Sequence, residues 1–183
     1  MADVKGTKTE KNLMTAFSGE SQARNKYTYF AKIAQKEGYL YVAKIFEESA
    51  MNEMQHAKDE FKLLNGIGDT VANLKEAVAG EHYENTEMYP TFAKEAREEG
   101  FEDAARLFEQ ISKVEVEHEN RYKKLLKMVE DGTLYKREEP IKWKCAKCGF
   151  IHEGKEPPMT CPSCKHPKEY YEPADLSFFQ SQA

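Results

Sequence analysis

Over about the first 130 positions apolar residues recur at intervals of three and four, as in helices that bury one face. Leu13, Ala16, Phe17, Ala23, Tyr27, Phe30, Ala31 and Ala34 share one such face and predict a helix from about Thr9 to Glu37. Gly38 follows, where a glycine commonly closes a helix. A second helix is expected from about Leu40 to Asn65, stopping at Gly66-Ile67-Gly68. A third, capped by Asp69 or Thr70, should run to about Glu99, before Gly100. The fourth should span about Glu102 to Glu130, before Asp131-Gly132. Beyond it the periodicity stops. Pro140, Pro157, Pro158, Pro162, Pro167 and Pro173 punctuate the remainder, which also holds every cysteine. Lys136-Arg137-Glu138-Glu139-Pro140 reads as the linker. The expectation is an all-α four-helix bundle over residues 1–136 and a small metal-knuckle domain over 137–183.

The helical part repeats itself. Tyr29-Phe-Ala-Lys-Ile-Ala-Gln-Lys-Glu-Gly38 resembles Thr91-Phe-Ala-Lys-Glu-Ala-Arg-Glu-Glu-Gly100 at an offset of 62 residues. The register holds through Tyr27/Tyr89, Ala43/Ala105, Phe46/Phe108, Glu53/Glu115 and His56/His118. A duplicated helical hairpin follows, hence a four-helix bundle with approximate twofold symmetry. Gly19-Glu20 matches Gly80-Glu81 at 61, so one extra residue lies between Glu81 and Tyr89 in the third helix. An extra residue inside a helix is usually absorbed as one wide turn, and such turns favour functional sites.

Composition narrows the classes. Charged residues are 32% and aromatics 11% of a 183-residue chain, a folded, helix-rich profile. The formal charge is −5, with 32 acids and 27 bases dispersed and no basic stripe, which argues against nucleic acid and anionic membranes as partners. No apolar run approaches the roughly 20 residues that cross a bilayer, and Met1-Ala2-Asp3-Val4-Lys5 has no apolar signal core, so the cytoplasm is the expected location.

Two Glu-x-x-His motifs, Glu53-Met-Gln-His56 and Glu115-Val-Glu-His118, fall in mid-helix, where a spacing of three puts carboxylate and imidazole on one face. Glu20 and Glu81 add one carboxylate from each of the other two helices. That is the donor set of a di-iron or di-manganese carboxylate bundle. A lone motif of this kind is usually a solvated face; two copies related by an internal repeat, with matched glutamates, are not. Divalent iron suits oxygen and imidazole donors and offsets carboxylates that are costly to bury. Glu84, one turn beyond Glu81, has no glutamate counterpart in the first helix. It reads either as an ordinary exposed glutamate or as a seventh ligand that competes with His56 for one iron.

The four cysteines, Cys145, Cys148, Cys161 and Cys164, form two Cys-x-x-Cys pairs and mark a reducing compartment. Four thiolates in this spacing hold one tetrahedral metal. Spacing leaves zinc and a single iron open. The neighbouring redox site, which needs electrons, weighs toward iron as a one-electron carrier. A domain of about 40 residues also depends on its metal to fold.

With these residues in place the chain resembles the rubrerythrin family over nearly its whole length: a ferritin-like bundle with Glu20, Glu53-x-x-His56, Glu81-x-x-Glu84 and Glu115-x-x-His118, then rubredoxin-like knuckles. The resemblance implies a carboxylate-bridged non-haem di-iron centre and a mononuclear iron bound by four cysteines. It also implies exchange of Glu84 and His56 on one iron, Tyr27 and Tyr89 lining the site, and reduction of hydrogen peroxide to water. Electrons would come from a reductase or rubredoxin donor. The runner-up is a ferritin-like ferroxidase that handles iron. Lys165 departs from the resemblance, standing after the second cysteine pair where rubredoxins carry glycine. The connection between the second and third helices is also short: a span of about 30 Å is needed within one bundle, against about 26 Å for eight extended residues. A domain-swapped homodimer is the resulting expectation.

Overall fold

In a computed structural model the structure describes residues 3–175. The chain divides into two compact units, Met1–Gly68 and Asp69–Ala183. The elements are those of an all-α bundle of four helices followed by a small four-cysteine domain, as expected. Among the described residues no helix is long and apolar enough to cross a membrane.

The first unit is a hairpin of α1 (Lys8–Lys36) and α2 (Leu40–Leu63). Thr7 caps α1, its hydroxyl accepting from the Glu10 amide. Gly38 makes the turn at φ +84°, a left-handed conformation that glycine adopts without strain. The seam between the helices is built from Ala31, Ala34, Ala43, Ala50 and Ala57, all buried, so the backbones approach closely. At the far end Phe17 stacks on Phe61 with centroids 4.7 Å apart. Gly66 lies against that ring so tightly that a Cβ there would come within 2.1 Å of it.

The second unit begins with Asp69, whose side chain accepts from the Ala72 amide and caps α3 (Thr70–Tyr83). The third predicted helix is not continuous. A π-helical turn spans Glu84–Met88, and α4 (Tyr89–Glu98) resumes the ordinary pitch. The wide turn falls inside the interval where the repeat offset slips. Gly100, at φ +86°, mirrors Gly38 and leads into α5 (Glu102–Glu130), against which α3 and α4 pack. Buried here are Ala93, Ala96, Ala105 and one charged residue, Glu119.

The cysteine domain is a three-stranded antiparallel sheet in the order β2 (Ile151–Gly154), β1 (Ile141–Cys145), β3 (Tyr171–Pro173). Its core is Trp143, Cys145, Cys161 and Tyr171, with Tyr135, Ile141 and Cys164 packed around it. The Trp143 indole N–H donates to the Gly154 carbonyl, and the Arg137 guanidinium sits 5.1 Å above its ring. Arg137 also donates to the Thr133 carbonyl. Thus Tyr135 and Arg137, flanking the start of the expected linker, already belong to the packing of this domain.

Candidate metal centres

The expected ligands gather in three sets. In the first unit α1 presents Glu20 and α2 presents Glu53 and His56; in the second, α3 presents Glu81 and α5 presents Glu115 and His118. Within each set, one ligand atom per residue lies within 4.8 Å of the others. The two sets are built alike. His56 Nδ1 is 2.8 Å from Glu53 and 3.8 Å from Glu20; His118 Nδ1 is 2.7 Å from Glu115 and 3.4 Å from Glu81. The Glu-x-x-His spacing thus aims each imidazole Nδ1 at the carboxylates, one turn apart on one face.

The electrostatics fit a cation. A hydrogen bond shared with Glu53, and then burial, raise the Glu20 carboxyl above the ordinary range. Burial, and then sharing with Glu115, do the same to Glu81. Facing carboxylates cannot both ionise without a compensating charge, and a divalent metal supplies one.

Glu84 lies at the start of the π-turn, outside the three-residue set but within electrostatic reach of Glu81 and Tyr89. Tyr27 packs on Phe46 at 6.0 Å, and Tyr89 on Phe108 at 6.1 Å; Phe30–Phe46 and Phe92–Phe108 stand at 5.6 and 5.7 Å. The aromatic trios therefore obey the repeat as closely as the ligands do. Burial, with Glu84, Glu115 and Glu81 nearby, pushes the Tyr89 phenol up.

Sequence reasoning passed over the residues that hold the π-turn. The Asn85 amide donates to the Glu81 carbonyl and to Glu119, each at 2.7 Å. His82 Nδ1 stands 2.9 Å from Glu119, and Lys123 pairs with it. Hydrogen bonds, first from Lys123, hold the Glu119 carboxyl below the usual range against burial. Ser112 donates to the Asn85 carbonyl. A signal was available: Ser112 and Glu119 stand where the repeat has the buried Ala50 and Ala57.

The four cysteine sulfurs converge in the same fashion. Cys145–Cys164 and Cys148–Cys161 are 3.7 Å apart. A tetrahedron with metal–sulfur bonds of about 2.3 Å has edges of about 3.8 Å, so the donor set fits one metal. The knuckles mirror each other. Gly149 N–H donates to Cys145 O and Lys165 N–H to Cys161 O, with Gly149 at φ +76° and Lys165 at φ +63°.

A helical chain with two Glu–Glu–His donor sets and a four-cysteine knuckle domain belongs to the class of non-haem iron proteins that couple a carboxylate di-iron centre to a rubredoxin-type iron. The rubrerythrin family model matches residues 11–126, and that for the rubrerythrin rubredoxin-like domain matches 143–172. The rubrerythrin of Porphyromonas gingivalis (strain ATCC BAA-308 / W83) is 48% identical over 188 residues, covering 96% of this chain and 94% of that one. The rubrerythrin of Nitratidesulfovibrio vulgaris (strain Hildenborough) is 46% identical over 185 residues, covering 94% and 97%. A solved structure of nigerythrin in a partially reduced state aligns over 94% of this chain and 90% of its own, at 32% identity and a TM-score of 0.36. The chain belongs to the rubrerythrin family. Its cofactors are a di-iron pair and a mononuclear rubredoxin-type iron, and it is an oxidoreductase.

Proposed function

We propose that the protein reduces hydrogen peroxide to water in the cytoplasm: one peroxide takes two protons and two electrons and leaves as two waters. The observation that carries this reading is the presence, in one chain, of two repeat-related Glu–Glu–His sets and a four-cysteine site able to relay electrons. Iron held by the two Glu–Glu–His sets would supply the two electrons, and iron held by Cys145, Cys148, Cys161 and Cys164 would pass replacements singly from a reductase or rubredoxin.

The chain's own residues do the rest. Glu20, Glu53 and His56 would hold one metal, and Glu81, Glu115 and His118 the other. Glu84, outside the second set, is the carboxylate free to exchange with His56 and to carry a proton on its Oε atoms. Tyr89, half-buried within electrostatic reach of Glu84, keeps its phenol protonated and so can serve the site as a hydrogen-bond donor. Tyr27 has the matching place in the first hairpin.

The reading includes a homodimer in which α1 and α2 of one copy pack with α3, α4 and α5 of another. Two features support it. Only five residues, Leu64 to Gly68, separate the last residue of α2 from the cap of α3. Among the described residues the only apolar side chains each hairpin buries are alanines, leaving Phe30, Ile33 and Val42 exposed on one and Phe92, Leu107 and Val114 on the other. An alanine seam removes too little apolar area from water to stabilise a lone hairpin.

The test is anaerobic. The fully reduced protein is mixed with peroxide, and separately with dioxygen, while the visible iron–thiolate bands are followed. Return of the bands much faster with peroxide supports the reading. A cysteine iron that stays reduced with peroxide overturns the relay and favours a ferroxidase. Sedimentation tests the dimer: a monomer with its full complement of iron overturns it.

A further inference from the structure

Tyr171 is a buried polar group that the proposed chemistry does not use. It belongs to the core of the cysteine domain and is 4% exposed. Its hydroxyl is fully enclosed, and among the described residues it closes no hydrogen bond of ordinary geometry, the Cys161 sulfur being the acceptor nearest in kind. β3 sets it opposite Cys145 in the sheet register, and the side chain it interacts with most strongly is Cys161, with Cys145 and Cys148 next. Tyr171 shares its small core with Cys145 and Cys161, and an ordinary phenol carries its proton at neutral pH. The phenol therefore meets the site as a neutral donor, and an enclosed O–H lacking an acceptor is costly unless one arrives.

Metal binding supplies that acceptor, because all four cysteines then become thiolates. Cys161 already accepts backbone N–H bonds from Cys164 and Ser163. The tyrosine would add a further, side-chain donor. Nothing at this position requires a hydroxyl for packing, since phenylalanine fills the same volume.

We propose that the Tyr171 hydroxyl donates a hydrogen bond to the Cys161 thiolate of the metal-loaded site and raises the reduction potential of the iron held there. The sign follows from charge. Four thiolates with ferric iron carry one net negative charge, and with ferrous iron two. A donor pointed at sulfur stabilises the more negative, reduced form. Tyr171 is thus a positioning and tuning residue for electron delivery. The inference rests on iron in the cysteine site and is independent of whether peroxide is the substrate.

The experiment uses the full-length holoprotein and Tyr171→Phe. Optical redox titration of the iron–thiolate bands should show a potential shifted downward in the variant, with cysteine-site iron stoichiometry unchanged. In parallel, wild-type protein with cadmium-113 in the cysteine site should show a slowly exchanging tyrosine hydroxyl proton with through-bond coupling to the metal, absent in Tyr171→Phe. A purely structural role would move neither readout. An unshifted or raised potential overturns the proposal, and so does a wild-type spectrum without the coupling. If Tyr171→Phe fails to retain iron, the cadmium spectrum of the wild type decides alone.

Discussion

The Asn85 side chain donates at 2.7 Å to Glu119 and at 2.7 Å to the Glu81 carbonyl, so one amide ties α5 to the end of α3 that carries the proposed ligand Glu81. A π-turn disturbs the regular carbonyl-to-amide ladder. Here side chains occupy three carbonyls at that point: Asn85 bonds Glu81, Thr86 bonds His82, and Ser112 bonds Asn85. Ser112 and Glu119 replace alanines of the first hairpin. The second hairpin therefore departs from the repeat on two helices at once, and both departures meet at Asn85.

Removing either end of this pair should destabilise the second unit. Asn85→Ala leaves a buried carboxylate short of a donor, at a cost of about 1–3 kcal/mol. Glu119→Ala should cost a similar amount by stranding Asn85 and His82. Because the two touch, the double variant should lose clearly less than the sum, with a coupling of roughly 0.5–3 kcal/mol. Denaturant melts of the four proteins measure it, and strict additivity would refute the link.

The extra residue itself can be removed. Deleting Thr86 restores a uniform repeat, and each residue of an α-helix turns it by about 100°. The deletion should close the π-turn and rotate Glu81 and Glu84 relative to Tyr89. Bundle iron should fall while cysteine iron persists, as read by metal analysis and the thiolate bands. Full bundle loading in the deletion variant would show that the turn has no part in presenting the ligands.

The cysteine domain should depend on its metal. Its core consists of two cysteines and two aromatic residues, too small a cluster to fold on burial alone. Cys161→Ser, or stripping the metal from reduced protein with a chelator, should abolish amide-exchange protection over residues 141–173 and leave the helices intact by circular dichroism. Protection that survives metal removal would contradict this.

Much of the architecture was legible because it repeats. Helix ends at Gly38 and Gly100, the clustering of the candidate ligands Glu53, His56, Glu115 and His118, and the site of the wide turn all follow from comparing the chain with itself. What repetition misses is whatever one hairpin has and the other lacks. Glu119 is locally one more glutamate in an acidic helix, and only its match to Ala57 in the repeat sets it apart. Arg137 falls in the expected linker because charge and a nearby proline suggest an exposed tether. Its stacking on Trp143 depends on a tertiary contact that no local pattern encodes. Tyr171 gave no signal, since a tyrosine in a short strand is ordinary.

Lys165 departs from the family pattern, and the structure gives the departure a cost. It holds φ +63° at the knuckle position where Gly149 holds φ +76°. A side chain in the left-handed region costs about 1–2 kcal/mol, although the Lys165 ammonium recovers part of this by donating to the Pro162 carbonyl at 3.1 Å. Lys165→Gly removes the strain but adds about 0.4–1 kcal/mol of unfolded-state entropy. The net should be a stabilisation of the metal-loaded cysteine domain by roughly 0.5 kcal/mol, seen as slower metal loss to a competing chelator. Lys165→Asn tolerates the same backbone while losing the ammonium, so it separates strain from charge. If Asn and Gly both slow metal loss, backbone strain is the cause. If Gly accelerates it, the ammonium bond to Pro162 outweighs the strain and the assignment of cost to φ is wrong.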